Sequence, residues 1–158
     1  MKKYLLTLIF IAASVCSYAQ SLSFEDLLNL TTMNDIQAHD FLLVSKKFKS
    51  AGVQLVNGQN MELFKSNPGA PDITGMVLLG ALTKGQSGAI SRPVTYTTLQ
   101  ESGITSLLAQ AKKSTLTLVF QGSDHNENIY HFDNSLFKAT ISLSFDKKWG
   151  SVEVQQKD

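Results

Sequence analysis

The stretch "LFKATISLSF" at residues 136–145 alternates apolar and polar side chains along its whole length. Successive side chains of an extended strand point to opposite faces, so this alternation separates two sets of residues. The apolar set is Phe137, Ala139, Ile141, Leu143 and Phe145, and the polar set is Lys138, Thr140, Ser142 and Ser144. A strand with one packed and one wet face is typical of an antiparallel sheet.

The rest of the chain supplies helices and further short strands. Ser23 and Asn34 are predicted N-caps, each followed three residues later by a polar box partner. The predicted helices span 22–30, 33–52 and 100–114. The predicted strands span 53–56, 61–64, 73–82, 94–99, 115–121, 128–132, 136–145 and 149–155, with Leu116, Leu118 and Phe120 facing inward. A short helix is the alternative for 73–82. The expected fold class is therefore α+β, with about three helices packed on one face of an antiparallel sheet.

The first residues have the pattern of a secretory signal peptide. Lys2 and Lys3 precede an apolar run at 4–15, which is shorter than the roughly 20 residues that span a bilayer. Small residues at 17 and 19 favour cleavage after Ala19, as in exported proteins of Gram-negative bacteria. The residues before Cys16 depart from a lipoprotein signal, so we expect no lipid anchor there. A periplasmic or secreted protein without a membrane span is predicted.

The composition of the mature chain excludes several classes of function. Removal of Lys2 and Lys3 leaves 12 basic residues (14 − 2) against 13 acidic residues. No basic face is indicated, so a nucleic-acid partner is not expected. Cys16 is the only Cys in the chain, so the mature protein is predicted to lack disulfides and thiolate chemistry. Residues 20–158 suit one domain, and no cofactor is predicted.

The pattern of two parts of the chain, 34–99 and 100–158, predicts in each a helix followed by several strands. A shift of 66 residues superimposes Phe41-Leu42 on Leu107-Leu108, Lys46-Lys47 on Lys112-Lys113, and Leu63-Phe64 on Ile129-Tyr130. This order of elements across 22–156 resembles the tandem layout of the beta-lactamase-inhibitor-like proteins. The resemblance implies an exported protein that binds a partner protein on a concave sheet. The disulfides of those inhibitors have no counterpart here.

The polar stretch "GSDHNENIYHFD" at 122–133 has two interpretations. Asp124, His125, Glu127, His131 and Asp133 are side-chain types that bind metals or act as acids and bases. However, no two His residues have the spacing of a helical metal motif, and residues 122–128 are rich in turn formers. We predict a hairpin turn, with His131 on the wet face of its second strand. No metal and no catalytic residue is predicted.

Five residues are candidates for ligand binding: Trp149, Arg92, His131, Thr140 and Ser142. Thr140 and Ser142 lie on the wet side of the alternating strand, and Trp149 has the opposite parity to Val152 and Val154. Arg92 is the only Arg; it is either a carboxylate anchor or an ordinary surface residue. The main hypothesis is a non-enzymatic module that binds an envelope or secreted protein, a peptide or a glycan. A small hydrolase with acid/base carboxylates and a structural envelope protein are the alternatives.

Overall fold

The computed structural model describes residues 22–68, 74–85, 88 and 90–157. The predicted signal peptide and Cys16 lie outside the described residues. Within that part of the chain, three helices accompany an eight-stranded antiparallel sheet and a small two-stranded sheet. The helices are α1 (Phe24–Leu30), α2 (Asp35–Val44) and α3 (Glu101–Lys113). The α+β fold with an antiparallel sheet, predicted from the sequence, is confirmed.

The strands follow one another mostly as hairpins. They are β1 (Phe48–Val56), β2 (Gln59–Ser66), β3 (Gly75–Leu79), β4 (Thr83–Lys84), β5 (Ile90–Ser91), β6 (Val94–Thr98), β7 (Thr117–Asp124), β8 (Glu127–Asp133), β9 (Phe137–Ser144) and β10 (Gly150–Gln156). The large sheet has the order β1-β2-β3-β6-β10-β9-β8-β7, and β4 pairs only with β5. The chain thus builds one half of the sheet before α3 and the other half after it.

The halves meet where β6 pairs with β10, each being the last strand of its half. Two features of the first hairpin in each half recur 68 residues apart, whereas the predicted shift is 66. Asn57 and His125 both have positive φ, 51° and 48°, in the turns of the first hairpin of each half. Phe64 and Phe132 are both buried in the second strand of that hairpin. The division at 34–99 and 100–158 stays a prediction.

One face of the sheet packs against the helices to form the core. Phe64, Tyr96, Ile141 and Val152 lie on four strands and are almost completely buried, and the last three alternate with polar residues. Leu27, Leu42, Ile104, Leu107 and Ala111 cover them from the helices. Burial of such side chains contributes about 1.5–3 kcal/mol each, so this face provides most of the stability of the fold.

The predicted N-caps of the first two helices are confirmed. The Ser23 hydroxyl accepts a hydrogen bond from the Asp26 N–H at 3.1 Å, and the Asp26 carboxylate accepts one from the Ser23 N–H at 2.8 Å. Asn34 and Gln37 form the same reciprocal pair. Each cap satisfies N–H groups that the first turn of a helix leaves unpaired.

The predicted end of the second helix is wrong. We expected a helix to Gly52, but α2 ends at Val44, and Lys46 adopts positive φ (55°) in the turn that follows. The chain then enters β1 at Phe48, which is buried in the core. Gly52 lies in a bulge between Ser50 and Val53, with φ of 91°, instead of capping a helix. Lysines at 46, 47 and 49 are typical of the last turns of a helix, but burial of Phe48 determines that this segment is a strand.

Two aromatic residues predicted to face inward are exposed. Phe120 is 50 % exposed because a bulge between Leu118 and Phe120 changes which side chains of β7 face the core. Leu118 is 37 % exposed on this edge strand, whereas Leu116, before the strand begins, is buried. Phe145 is 51 % exposed because β9 ends at Ser144 and the chain turns there. Ser144, predicted on the wet face, is also buried, so the alternation that defines the fold holds only from Lys138 to Leu143.

Two short strands that were not predicted lie between β3 and β6. Residues 83–93 lie outside the predicted strands, but Thr83 pairs with Ser91 and Lys84 pairs with Ile90. Strand β3 covers only Gly75–Leu79 of the predicted strand at 73–82, of which Ile73 lies outside the described residues. No described helix is both long and apolar enough to cross a bilayer.

The buried phenol of Tyr96 should make the stability of the fold decrease at alkaline pH. Burial raises the pKa of Tyr96 above its ordinary value of 10.0. The folded state therefore keeps a phenolic proton that the unfolded chain loses above about pH 10. Stability should fall as pH rises through that window, by at most about 1.4 kcal/mol per pH unit from this residue. Urea titrations between pH 9 and 11 should show a smaller decline for Tyr96→Phe than for the unchanged chain; equal declines would contradict this origin.

Candidate binding face

The face of the sheet opposite the helices carries mostly polar side chains. We define the open face as Thr95, Thr97, Phe120, His131, Lys138, Thr140, Ser142, Ser151, Glu153 and Gln155. Strand pairing places Thr95, Glu153, Thr140, His131 and Phe120 in one row across five strands. Five strands at a spacing of about 4.8 Å make this row roughly 19 Å long.

Strand alternation orients these side chains away from the core. Val152 and Ile141 are fully buried, whereas their chain neighbours Ser151 and Ser142 are only half-buried. Lys138 and Glu153 are exposed. Towards β2 the same side of the sheet is closed, since Leu63 is 2 % exposed. The accessible region therefore begins at β6 and extends to the β7 edge.

Phe120 and His131 form the aromatic end of the open face. Their ring centroids are 5.1 Å apart and their planes differ by 32°. The Phe120 ring extends over Gly122: a Cβ placed on Gly122 would lie 2.5 Å from Cζ and 3.0 Å from Cε1 of the ring. His131 Nδ1 lies 3.0 Å from Thr140 Oγ1. A hydrogen bond thus fixes the imidazole, and the missing side chain at Gly122 makes room for the phenyl ring.

Three of the five predicted binding residues lie together. His131 pairs directly with Thr140, and Ser142 is two residues along the same strand. Trp149 is half-buried at the end of the face, where its C=O accepts hydrogen bonds from Ser144 N and Oγ at 3.1 and 2.9 Å. The ladder at Gly150 continues without a bulge. Alternation along β10 therefore places Trp149 on the same side as Ser151.

Arg92 is not part of this face, and the prediction of a surface residue is wrong. Its side chain is 3 % exposed. Its Nη2 donates to the Met33 C=O at 2.9 Å and to Asp35 Oδ1 at 2.7 Å. The Arg92 N–H also donates to the Thr31 C=O at 3.0 Å. Arg92 lies between β5 and β6, and its hydrogen bonds therefore connect the turn between α1 and α2 to the start of β6.

Replacement of Arg92 should destabilise the protein without touching the open face. Arg92→Met removes hydrogen bonds to a charged group and to a backbone carbonyl, at a cost of about 1.5–3 kcal/mol in the free energy of unfolding. Lys84→Met removes an exposed cation from the neighbouring β4 and is the matched control, with an effect of at most about 0.5 kcal/mol. Urea unfolding measures both. Equal losses in the two variants would contradict the structural role of Arg92.

The polar stretch at 122–133 forms a hairpin rather than a cluster of metal-binding side chains. His125 and Asn126 make the turn between β7 and β8, and Asp124 is paired with His125 at the exposed tip. Asp133, at the far end of β8, forms an ion pair with Lys157. Among the residues that the structure describes, no group of three or more His, Cys, Asp or Glu converges as metal ligands. Asp124 pairs with Glu127 beside the turn, whereas Asp133 lies at the opposite end of β8.

Two recesses lie on the helical side. One of about 730 Å³ is bordered by α1 and α2, with Leu22, Met33, Phe41 and Val44 among its walls. Another of about 450 Å³ lies between α1 and the end of α3. Neither is lined by a residue of the open face.

Comparison of the chain with protein-family models, curated proteins and solved structures gave no match.

Phe120 is the residue that the sequence prediction missed. The alternation in "TLTLVFQ" indicated an inward aromatic residue, whereas the bulge turns it to the open face. The sequence offers one usable signal, Gly122 two residues later. A Gly inside a strand often marks a bulge or the close approach of another group.

Proposed function

We propose that this chain is an exported, non-enzymatic binding module whose ligand lies on the open face. The observation that supports this most is the row of polar and aromatic side chains across five strands, on the face opposite the helical core. A sheet sealed on one side presents rigidly spaced groups on its other side. Such a surface suits an extended ligand, a protein, a peptide or a glycan, that contacts several strands at once.

The two alternatives have less support. A hydrolase needs carboxylates about 5–10 Å apart around a cleft, but Asp124 points from an exposed hairpin tip and Asp133 is paired with Lys157. No feature of the described residues favours a structural envelope protein over a binding module. The resemblance of the element order to the beta-lactamase-inhibitor-like proteins favours a sheet-bound ligand as well.

Site-specific photo-crosslinking tests the proposal without knowledge of the ligand. A benzophenone amino acid replaces Ser142 or Glu153 on the open face, and Asp40 or Lys113 on the helical side as controls. Each variant is irradiated in an envelope extract of the producing organism, and adducts are sized by mass spectrometry. We expect one discrete adduct from the open-face positions only. Equal adducts from the helical side, or none from the open face, would contradict the proposal.

A further inference from the structure

We infer that α2 pairs with α2 of a second copy of this chain, antiparallel and about a two-fold axis. Of the ten residues of α2, only Ala38 and Leu42 are buried in the core. We define the outer side of α2 as Ile36, Gln37, Asp40 and Val44. Ile36 is 75 % exposed and Val44 is 80 % exposed. A helix that is apolar on all sides is normally covered on all sides, so this exposure points to a contact beyond the single chain.

The third helix shows that outward apolar residues are not general in this fold. α3 buries Ile104 and Leu107 against the sheet, and none of its large apolar residues is exposed. Its exposed positions carry small, polar or charged side chains, as in an amphipathic helix with one packed side. α2 packs on the same face of the sheet but keeps apolar side chains on its far side.

The recess beside α2 has the length of the helix itself. Its walls include Met33, which precedes α2, and Val44 and Lys47, which lie at and beyond its last turn. Ten helical residues span about 15 Å, so the recess of about 730 Å³ can receive one side of another short helix. In a two-fold contact the same surface is used by both copies, and the outer side of each α2 enters the recess of the other. One contact thus covers both apolar surfaces.

The order of charges along α2 selects a second copy in antiparallel orientation. Asp26 and Asp40 line the recess beside the helix, whereas Lys46, Lys47 and Lys49 follow its C-terminal end. Antiparallel pairing brings the acidic part of each copy to the basic part of the other, and this match occurs twice. It also places the two helix dipoles in opposite directions. Parallel pairing would bring like charges together.

This arrangement predicts which residue lies near the two-fold axis. With Asp40 of one copy opposite Lys46 of the other, the axis passes halfway between these positions, beside Leu43 and Val44. Val44 has the highest exposure of any large apolar residue in the described part of the chain. The open face lies on the other side of the sheet, so pairing through α2 leaves it accessible and does not depend on the proposed function.

Sedimentation velocity of the purified chain tests the inference. We expect a monomer–dimer equilibrium with a Kd of about 10–100 μM, since one helix from each copy makes a small interface. Val44→Asp should weaken the dimer at least about tenfold, because it places carboxylates at the apolar centre of the contact. Leu136→Asp changes a residue that is 56 % exposed before β9; it is the matched control and should dimerise normally. Circular dichroism verifies that each variant is folded.

Charge reversal tests the antiparallel order. Asp40→Lys alone and Lys46→Asp alone should each weaken the dimer about fivefold, because both contacts then join like charges. Lys46 has positive φ, a conformation that Asp tolerates. An equimolar mixture of the two variants should recover the association of the unchanged chain, since every contact of the mixed pair joins opposite charges.

Three outcomes would overturn the inference: a chain that stays monomeric up to about 1 mM, a dimer that Val44→Asp leaves intact, or a mixture that associates no better than its components. None of them bears on the open face. In the photo-crosslinking experiment, an adduct of two chain copies from Asp40 would support the α2 pair, whereas absence of open-face adducts would remove only the proposed function.

Discussion

Ile141→Asp is expected to prevent folding, whereas Ser142→Asp should leave the protein folded. Ile141 is completely buried between the helices and the sheet, and its neighbour Ser142 is half-buried on the open face. An unpaired carboxylate in the core costs several kcal/mol, in addition to the lost apolar burial. That sum is comparable to the about 5–15 kcal/mol that stabilises a typical domain.

The two variants form a matched pair, because the introduced group is the same and the positions are adjacent. Ser142→Asp should change the free energy of unfolding by about 1 kcal/mol or less. Circular dichroism melts of both, compared with the unchanged chain, measure the difference. Similar melting temperatures for the two variants would show that this strand does not separate a dry face from a wet one.

Gly150→Ala is the second change with a large expected effect. A Cβ at this position would lie 2.5 Å from Cγ1 and 3.0 Å from Cβ of Ile104, and 2.9 Å from the Ser142 carbonyl oxygen. Ile104 is fully buried in α3, so neither the helix nor the paired strand has room to move. Overpacking of this kind costs about 1–3 kcal/mol, and we expect a corresponding fall in urea midpoint.

Ser151→Ala is the control for that experiment. Ser151 lies next to Gly150 on the same strand, but its side chain is on the open face and half-buried. Its replacement should change stability by about 0.5 kcal/mol or less. If Gly150→Ala were as stable as Ser151→Ala, α3 would not rest on β10 at the distance that the structure gives.

Local sequence patterns were sufficient to predict the fold class and the caps. The alternation around Ile141 predicts β9 correctly, because every second residue of a half-buried strand is apolar and faces the core. Ser23 and Asn34 were predicted as N-caps because the capping box depends only on residues three positions apart. Asn57 and Gly58, in the turn between β1 and β2, both adopt positive φ, a conformation that favours these residue types.

Features that depend on distant residues were not predictable in this way. The early end of α2 depends on Phe48 entering the core, and its neighbouring lysines are compatible with a helix. Arg92 is buried by contacts with residues 57 and 59 positions away in the chain. The bulge at Val119 exposes Phe120 although Leu116, Leu118 and Phe120 occupy alternate positions. For the candidate site, the polar residues of the open face were identified, but its aromatic end was not.

Cysteine labelling along β9 tests the two-faced sheet most directly. In a Cys16→Ser background, which removes the only native thiol, single cysteines replace residues 138, 139, 140, 141, 142 and 143 in turn. Reaction rates with a maleimide in the folded protein should alternate, fast at 138, 140 and 142 and slow at 139, 141 and 143. Rates that are uniform along the strand, or that alternate in the opposite phase, would contradict both the packed face and the open face.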